Sequence, residues 1–191
     1  MDRIRRIAVW LRRWRYCQGF GVQSPWAYRF IRCVVNEHNS YYAYQDLKML
    51  FPSLPSRTLR LGRLYFRIAN FRQPAIVLDY GRSAEAYKAY VKAGCRKAEF
   101  ISLDDSPCIK KVEMLRLSLT DNYREVFERA VEVADENTLI ILEQIMRDAE
   151  TKAFWKSVVA DERCVTTFDL YYCGIIFFDK KRYKENYMVN F

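Results

Sequence analysis

Carboxylate side chains follow two short segments in the middle of the sequence, where they could serve as hydrogen-bond acceptors in a binding site. Asp79 follows the apolar run 75–78, and Asp104 and Asp105 follow the segment 98–103. A carboxylate in this position can accept hydrogen bonds from the hydroxyl groups of a ligand. An acidic pair followed by Ser-Pro, as at Asp104 and Asp105, is equally typical of a helix start. Both roles are open for these two residues.

A turn that contains glycine follows Asp79, and its surroundings predict a strand, a helix and a second strand. The run 75–78 is continuously apolar, which is typical of a strand buried on both faces of a parallel sheet. Residues 84–93 have helical spacing, Gly94 ends that helix, and residues 98–103 form the second strand. This βαβ unit places Asp79 and Gly81 at the carboxyl end of its first strand.

The remaining pattern predicts helices before this unit and alternating elements after it. Ser24 is a plausible cap for one of the early helices, with Pro25 at its first position. The early helices are expected over 4–14, 25–35, 44–51 and 57–71. After the βαβ unit we expect a helix at 123–134, a strand at 138–142 that ends at Glu143, a helix at 147–159, a hairpin of strands at 165–170 and 174–178, and a short edge strand at 187–191. We therefore divide the chain into an N-terminal helical extension, 1–73, packed on the core, and an α/β domain, 74–191.

Basic charge is concentrated near the N-terminus. The chain has 32 Lys and Arg against 23 Asp and Glu, a formal net charge of +9 over 191 residues. Apolar residues recur at helical spacing over 4–14, and arginines fill most positions between and beside them: Arg3, Arg5, Arg6, Arg12, Arg13 and Arg15. We expect this helix to dock its apolar stripe on the domain and to leave its arginines in solvent. The alternative is that it binds RNA or another anionic partner such as a lipid surface.

Several other kinds of site are not indicated by the sequence. The six cysteines form no Cys-x-x-Cys pair, so neither a zinc site nor a disulfide framework is expected. His38 is the single histidine, and its polar neighbours predict a solvated loop residue rather than a base. With this pattern of cysteine and histidine we expect no metal site. All apolar runs are far shorter than the ~20 residues of a membrane span, so we expect a cytoplasmic protein.

Three further motifs support a resemblance to a known family. They are the stretch 21–26, Gly-Val-Gln-Ser-Pro-Trp, the aromatic cluster 41–44, and the hairpin sequences 167–170 and 174–178. With the order of elements, these motifs resemble the class I S-adenosylmethionine-dependent methyltransferases, and in particular a family of bacterial methyltransferase-like proteins in which histidine is the expected residue at position 23. The resemblance implies an α/β fold with a Rossmann-like sheet, mostly parallel, that finishes with a C-terminal antiparallel hairpin.

The same resemblance implies S-adenosylmethionine as the cofactor and assigns residues to it. Asp79 and Gly81 match the acidic residue and the first glycine of the cofactor loop, and Ser83 stands at the second glycine position. Asp104, with Asp105 beside it, matches the acid that accepts hydrogen bonds from the ribose hydroxyls. Glu85 falls at the third glycine position, where a second negative charge would oppose the carboxylate of methionine unless its side chain points away.

The segment between Asp105 and Asn122 is too short for the two crossovers and two strands of that fold, because one parallel crossover needs about a dozen residues. We therefore expect that a strand-crossover unit is missing. Residues 106–121 fit either a helix or a strand.

The sequence thus predicts a methyltransferase of unknown acceptor or a catalytically inactive descendant of one. No catalytic residue is assigned, although Asp121 or Glu143 could deprotonate an acceptor. The inactive alternative would bind RNA or protein through the basic N-terminal helix. A third interpretation is methylation or binding of RNA, because arginines beside aromatic side chains suit phosphate contact and base stacking.

Overall fold

The computed structural model describes residues 2–14, 21–82, 85–103 and 109–191, with the backbone alone for residues 2–6. Seven α-helices lie in these ranges: α1 Asp2–Arg12, α2 Pro25–Phe30, α3 Tyr42–Leu50, α4 Ser56–Arg72, α5 Glu85–Gly94, α6 Tyr123–Glu132 and α7 Ala149–Ala160. A π-helical segment, Ile31–Val35, continues α2. The strands are β1 Ile76–Tyr80, β2 Glu99–Leu103, β3 Met114–Ser118, β4 Leu139–Glu143, β5 Thr166–Asp169, β6 Cys173–Phe177 and β7 Glu185–Met188.

The seven strands form one sheet in the order β2-β1-β3-β4-β6-β5-β7. Strands β1 to β4 are parallel, β6 runs antiparallel to both β4 and β5, and β7 is parallel to β5. The chain passes from β1 outward to β2 and then crosses β1 to form β3. The prediction of a mostly parallel Rossmann-like sheet with a C-terminal antiparallel hairpin is confirmed.

Each face of the sheet is covered by helices, because alternate side chains of a strand point to opposite faces. On one face, Val77 of β1 and Ile141 of β4 pack with α2, α4 and α5. On the other face, Leu78 of β1 and Leu142 of β4 pack with α6 and α7. The helices α2 and α4 of the predicted N-terminal extension thus supply one of the two layers that bury the sheet.

Local sequence signals account for several helix ends. Ser24 caps α2 by accepting a hydrogen bond from the backbone nitrogen of Ala27 at 3.4 Å, and Pro25 opens that helix as predicted. Asp148 and Thr151 form a capping box at the start of α7. Helix α4 is tied to the end of the π-helical segment by the buried Arg67, which donates to the carbonyl of Val35 at 3.0 Å.

The segment 106–121, which fitted either a helix or a strand in the sequence, contains a strand. Residues 114–118 form β3 and are buried at every position, whereas residues 109–113 form neither helix nor strand. Residues 106–108 lie outside the described part of the chain. Only ten residues, 104–113, connect β2 to β3, and β3 is the one strand in the described range 109–122. This agrees with the predicted loss of a strand-crossover unit.

The expected docking of the α1 apolar stripe is wrong. Ile7 and Leu11 are each 60% exposed and Trp14 is 62% exposed, whereas Arg13 is only 8% exposed. The physical reason is an ion pair, because Arg13 Nη1 lies 2.8 Å from Asp169 Oδ1 at the end of β5. Leu11 precedes Arg13 by two residues, which is about 200° around a helix, so its side chain is turned away from the domain.

Candidate functional site

A cleft of about 1010 Å³ opens at the carboxyl ends of the parallel strands. It lies where β2 and β3 leave β1 in opposite directions, which is the place where open α/β sheets bind ligands. Gly81 after β1, Leu103 at the end of β2 and Asp121 after β3 line it, together with Arg147 after β4. The topology therefore brings the ends of four strands together around one cavity.

Gly81 shapes the turn between β1 and the cleft. Its φ of +79° is in the left-handed region, and a Cβ there would lie 2.7 Å from Thr120 Oγ1 and 3.0 Å from Ser118 Cβ. Glycine is needed both for the backbone conformation and for close approach to the end of β3. Tyr80 closes the other side of this junction, because its hydroxyl donates to the backbone carbonyl of Asp121 at 3.1 Å.

Asp79 lies in the protein interior instead of lining the cleft. It is 2% exposed, and its carboxylate accepts a hydrogen bond from Nε of the equally buried Arg116, its partner in the β1–β3 register. Arg116 Nη1 lies 3.3 Å from Oε1 of Glu143 at the end of β4, and Glu143 also accepts a hydrogen bond from the Tyr65 hydroxyl of α4. These four residues form a buried chain of charges and hydrogen bonds across three strands.

The buried chain of charges shifts the pKa values of its proton donors. Burial alone would lower the pKa of Arg116, but the hydrogen bond to Asp79 and the charge of Glu143 outweigh it, so the pKa is raised. Burial, followed by the charge of Glu143, raises the pKa of Tyr65 well above its usual value. Arg116 therefore stays positive and Tyr65 neutral over the whole physiological pH range.

Arg116 also supports the glycine turn. Its Nη2 lies 3.4 Å from the carbonyl oxygens of both Tyr80 and Gly81. Asp79, Arg116 and Gly81 thus form one unit in which the carboxylate holds the guanidinium and the guanidinium holds the backbone of the turn. Arg116 was not among the predicted site residues, although its strand, Met-Leu-Arg-Leu-Ser, contained a signal: a charge in the middle of a buried strand requires partners.

The other predicted cofactor residues lie outside the described part of the chain. Ser83, Asp104 and Asp105 fall in the gaps 83–84 and 104–108. Their described neighbours Arg82 and Leu103 both line the cleft. Glu85, at the third position of the expected glycine pattern, is exposed in the first turn of α5.

The two acids considered for deprotonation of an acceptor have different surroundings. Asp121 is exposed and lines the cleft. Glu143 is 5% exposed and contacts Tyr65 and Arg116 in the interior, so it does not line the cleft as Asp121 does. His38 is exposed in the loop between the π-helical segment and α3, as predicted.

The cleft carries both signs of charge and no metal-binding cluster in the described ranges. Arg124 and Glu150 form an exposed ion pair at 3.3 Å on its rim. Arg147 donates to the carbonyl of Leu119 at 2.5 Å and fixes the loop after β3. Within residues 2–14, 21–82, 85–103 and 109–191, no group of three or more His, Cys, Asp or Glu side chains is placed to hold a metal ion.

A smaller cavity of about 300 Å³ lies between α1 and the turn that joins β5 to β6. Trp10, Tyr172 and Phe191 contribute aromatic walls, and Arg60 lies over the Phe191 ring at 5.2 Å from its centroid. Because β5 and β7 are parallel to β4, this cavity opens at the same edge of the sheet as the larger cleft.

The comparisons with known proteins support the fold. No protein-family model and no curated protein sequence matches the chain. Among solved structures, a methyltransferase from Geobacter sulfurreducens is similar with a TM-score of 0.50 and 13% identity, over 75% of this chain and 91% of that one. An SAH-bound methyltransferase from Podospora anserina has a TM-score of 0.48 and 12% identity, over 77% and 92% of the two chains. The O-methyltransferase TomG from Streptomyces achromogenes, in complex with SAM, has a TM-score of 0.43 and 10% identity, over 65% and 81%. The chain has a class I methyltransferase-like fold.

Proposed function

We propose that the chain is an S-adenosylmethionine-dependent methyltransferase whose cofactor binds in the cleft at the carboxyl ends of β1 to β4. The observation that carries the proposal is the exposed glycine turn at Gly81, placed at the topological reversal of a methyltransferase-like sheet. The cleft of about 1010 Å³ is at the upper end of the size of small-molecule sites, so it has room for both cofactor and acceptor.

The cleft has the size for such a cofactor, and its lining includes Gly81 and Leu103, a predicted cofactor residue and the described neighbour of another. The exposed Gly81 leaves its backbone open to the cleft on the side away from Thr120, and Leu103 leads directly into Asp104 and Asp105. We propose that Gly81 and Ser83 bind the methionine part and that Asp104, supported by Asp105, accepts hydrogen bonds from the ribose. S-adenosylmethionine supplies an activated methyl group when bound, and the chain's own task is to hold a nucleophile in line with it.

Asp79 contributes to this site indirectly, through Arg116, and does not line the cleft. It binds Arg116, and Arg116 holds the carbonyl oxygens of Tyr80 and Gly81. We therefore propose Asp79 as a positioning residue for the glycine turn. Asp121 is the exposed acid after β3 that lines the cleft, and this makes it the remaining candidate to take a proton from an acceptor.

The second candidate function is that of an inactive descendant that no longer binds the cofactor. Two features favour it: Ser83 replaces a glycine of the loop, and Glu85 adds a negative charge near the expected position of the methionine carboxylate. In that case the basic N-terminal helix, and not the cleft, would carry the activity as a binding module for RNA or protein.

Calorimetric and thermal-shift titrations with S-adenosylmethionine and S-adenosylhomocysteine separate these two functions. A ligand at 100 times its dissociation constant adds about 2.7 kcal/mol, and each kcal/mol raises the midpoint of a domain of this size by roughly 2 to 4 °C. We expect both ligands to raise the melting temperature clearly. The increase should be lost in Asp104→Ala and kept in Asp46→Ala, which changes an exposed acid of α3. No heat and no shift at millimolar ligand would leave the inactive descendant as the function.

A further inference from the structure

Helix α1 presents its apolar side to solvent, although the amphipathic pattern of the sequence is that of a docked helix. Ile7 and Leu11, together with Trp14 just beyond the end of the helix, are exposed by 60%, 60% and 62%, although Ile7 also reaches the rim of the smaller cavity. The opposite side faces the domain through Arg13, which pairs with Asp169, and the backbone of Trp10, whose carbonyl accepts a hydrogen bond from Asn190 at 3.3 Å. Polar contacts therefore hold the end of the helix to the domain, while Ile7, Leu11 and Trp14 keep most of their surface in solvent.

The charge of this segment indicates what the exposed side meets. Residues 2–15 contain six arginines and one aspartate, a formal charge of +5. Arg12 is exposed and flanks the apolar side, one position from Leu11. A short helix with tryptophan, leucine and isoleucine on one side and arginines around it has the composition of helices that lie in the interface of an anionic bilayer. Tryptophan in particular favours the level of the lipid headgroups.

The dimensions agree with a helix that lies on a surface. Helix α1 has 11 residues, and no helix in the described ranges has the length and apolar composition needed to cross a bilayer. Its contacts with Asp169 and Asn190 place it at the carboxyl edge of the sheet, which is also the edge where the cleft opens. A surface bound by α1 would thus face the same side of the molecule as the cleft.

We propose that α1 is an interfacial membrane-binding helix that docks the protein on anionic phospholipid through Ile7, Leu11 and Trp14. The arginines of residues 2–15 other than the buried Arg13 attract the lipid headgroups, and the three apolar side chains insert among the acyl chains near the headgroups. This inference does not depend on cofactor binding, because it uses none of the residues assigned to the cleft.

Binding of the full chain to vesicles tests the proposal. We expect sedimentation with phosphatidylcholine vesicles that contain phosphatidylglycerol, little sedimentation with phosphatidylcholine alone, and weaker binding as salt is added. Tryptophan fluorescence should shift to shorter wavelength on binding, since the exposed Trp14 leaves water while Trp155 is already buried.

Matched variants assign the binding to the apolar side of α1. Leu11→Asp should lower the partition coefficient by about tenfold or more, because an aspartate cannot insert and repels the anionic headgroups. Leu50→Asp is the control, because Leu50 is 65% exposed at the end of another helix, α3, and its change should leave binding within about twofold. Arg12→Glu should weaken binding roughly thirtyfold, since it replaces one positive charge by one negative charge. Circular dichroism checks that each variant is folded.

Three results would overturn the proposal. The first is equal binding to neutral and anionic vesicles, or no binding to either. The second is a dimer in sedimentation equilibrium that Leu11→Asp dissociates while vesicles do not bind, which would make a second copy the occupant. The third is tight, salt-sensitive binding of single-stranded RNA, without vesicle binding, that Arg12→Glu abolishes.

Discussion

Arg116 lies between two carboxylates in the interior of the protein, and its removal would leave both without a cation. Loss of one partner from a buried ion pair costs about 3 to 5 kcal/mol, because the remaining charge stays in a poorly solvated place. We expect Arg116→Met to lower the free energy of unfolding by an amount in this range, measured by urea denaturation. Arg116→Lys should recover part of the loss, since a lysine keeps the charge but cannot reproduce the hydrogen bonds to both Asp79 and the turn.

The control for Arg116 is an arginine with the same charge and an exposed position. Arg163 pairs with Asp161 at 2.6 Å and with Glu128 at 2.9 Å, but its side chain is 47% exposed. Exposed ion pairs contribute roughly 0 to 1 kcal/mol. Arg163→Met should therefore cost far less than Arg116→Met. Equal losses in the two variants would show that Arg116 is not the buried cation that holds the β1, β3 and β4 carboxylates.

A side chain at a glycine turn can destabilise the protein through backbone strain at positive φ and through contact of its Cβ with neighbouring atoms. Gly81 and Gly21 allow these two effects to be separated. Both have a positive φ, +79° and +80°, but a Cβ at Gly21 meets nothing within 4 Å, whereas one at Gly81 meets Thr120 at 2.7 Å. Gly21→Ala should cost about 1 to 2 kcal/mol from the left-handed backbone alone. Gly81→Ala should cost measurably more in the same denaturation experiment. A loss no greater than that of Gly21→Ala would exclude the close approach of β1 to the end of β3.

At this scale the sequence identified the residues better than their roles. Asp79 and Gly81 were found from their place after an apolar run, but Gly81 lines the cleft whereas Asp79 is buried behind it. The burial of Asp79 depends on Arg116, which is 37 residues later in the sequence and meets Asp79 only because β1 and β3 are neighbours in the sheet. Contacts of this kind follow from the topology of the sheet. Local spacing in the sequence therefore could not reveal that Asp79 supports the glycine turn through Arg116.

Among the elements, the start of α7 has a cap that depends on pH. Asp148 accepts a hydrogen bond from the Thr151 backbone nitrogen at 2.8 Å, and its other oxygen lies 2.7 Å from Arg147 Nε. The hydrogen bond from the Thr151 backbone, followed by that from Arg147, lowers the pKa of Asp148 from 3.8 to about 2. Because the folded pKa is below the unfolded one, the stabilisation is complete above pH 4 or so and is lost as pH falls towards about 2.

Asp148→Asn removes this titration while it keeps an oxygen for the cap. We expect the variant to have a lower melting temperature than the original protein at neutral pH, and the difference to narrow as pH falls from about 5 to about 3. Asp46→Asn, at an exposed acid of α3, should show no such change of the difference with pH. A gap between the Asp148→Asn and original melting temperatures that is constant over this range would contradict the role of the charge in the cap.

Element types followed from the sequence where a single periodicity was present, and they were left open where two periodicities fitted. The continuous apolar runs at β1 and β4 predicted buried strands correctly. The type of residues 106–121 stayed open, because apolar residues recur at helical spacing across most of the segment while 113–119 also fit a strand. For α1, the periodicity showed which residues share a side of the helix. It could not show which side faces the domain, because this depends on the ion pair between Arg13 and the distant Asp169.

For the whole molecule, the layers of helices on the sheet determine which parts of the N-terminal region are required for folding. In the described ranges the buried apolar core contains residues of α2 and α4 but none of α1. A chain of residues 21–191 should therefore fold, with a loss of about 1.5 to 3 kcal/mol for the charged hydrogen bonds of Arg13. Arg13→Met in the full chain should reproduce most of that loss.

A chain of residues 74–191 should not fold, although these residues were predicted as the α/β domain. Without α2 and α4, one face of the sheet would expose Val77, Met114, Ile141 and Ile175, all of which are at most 1% exposed in the complete protein. An uncovered apolar face of this extent favours aggregation over a folded monomer. Size-exclusion chromatography and urea denaturation of both truncated chains would check this. A cooperative unfolding transition in the 74–191 chain would show that the helices before β1 form an independent extension instead of a layer of the core.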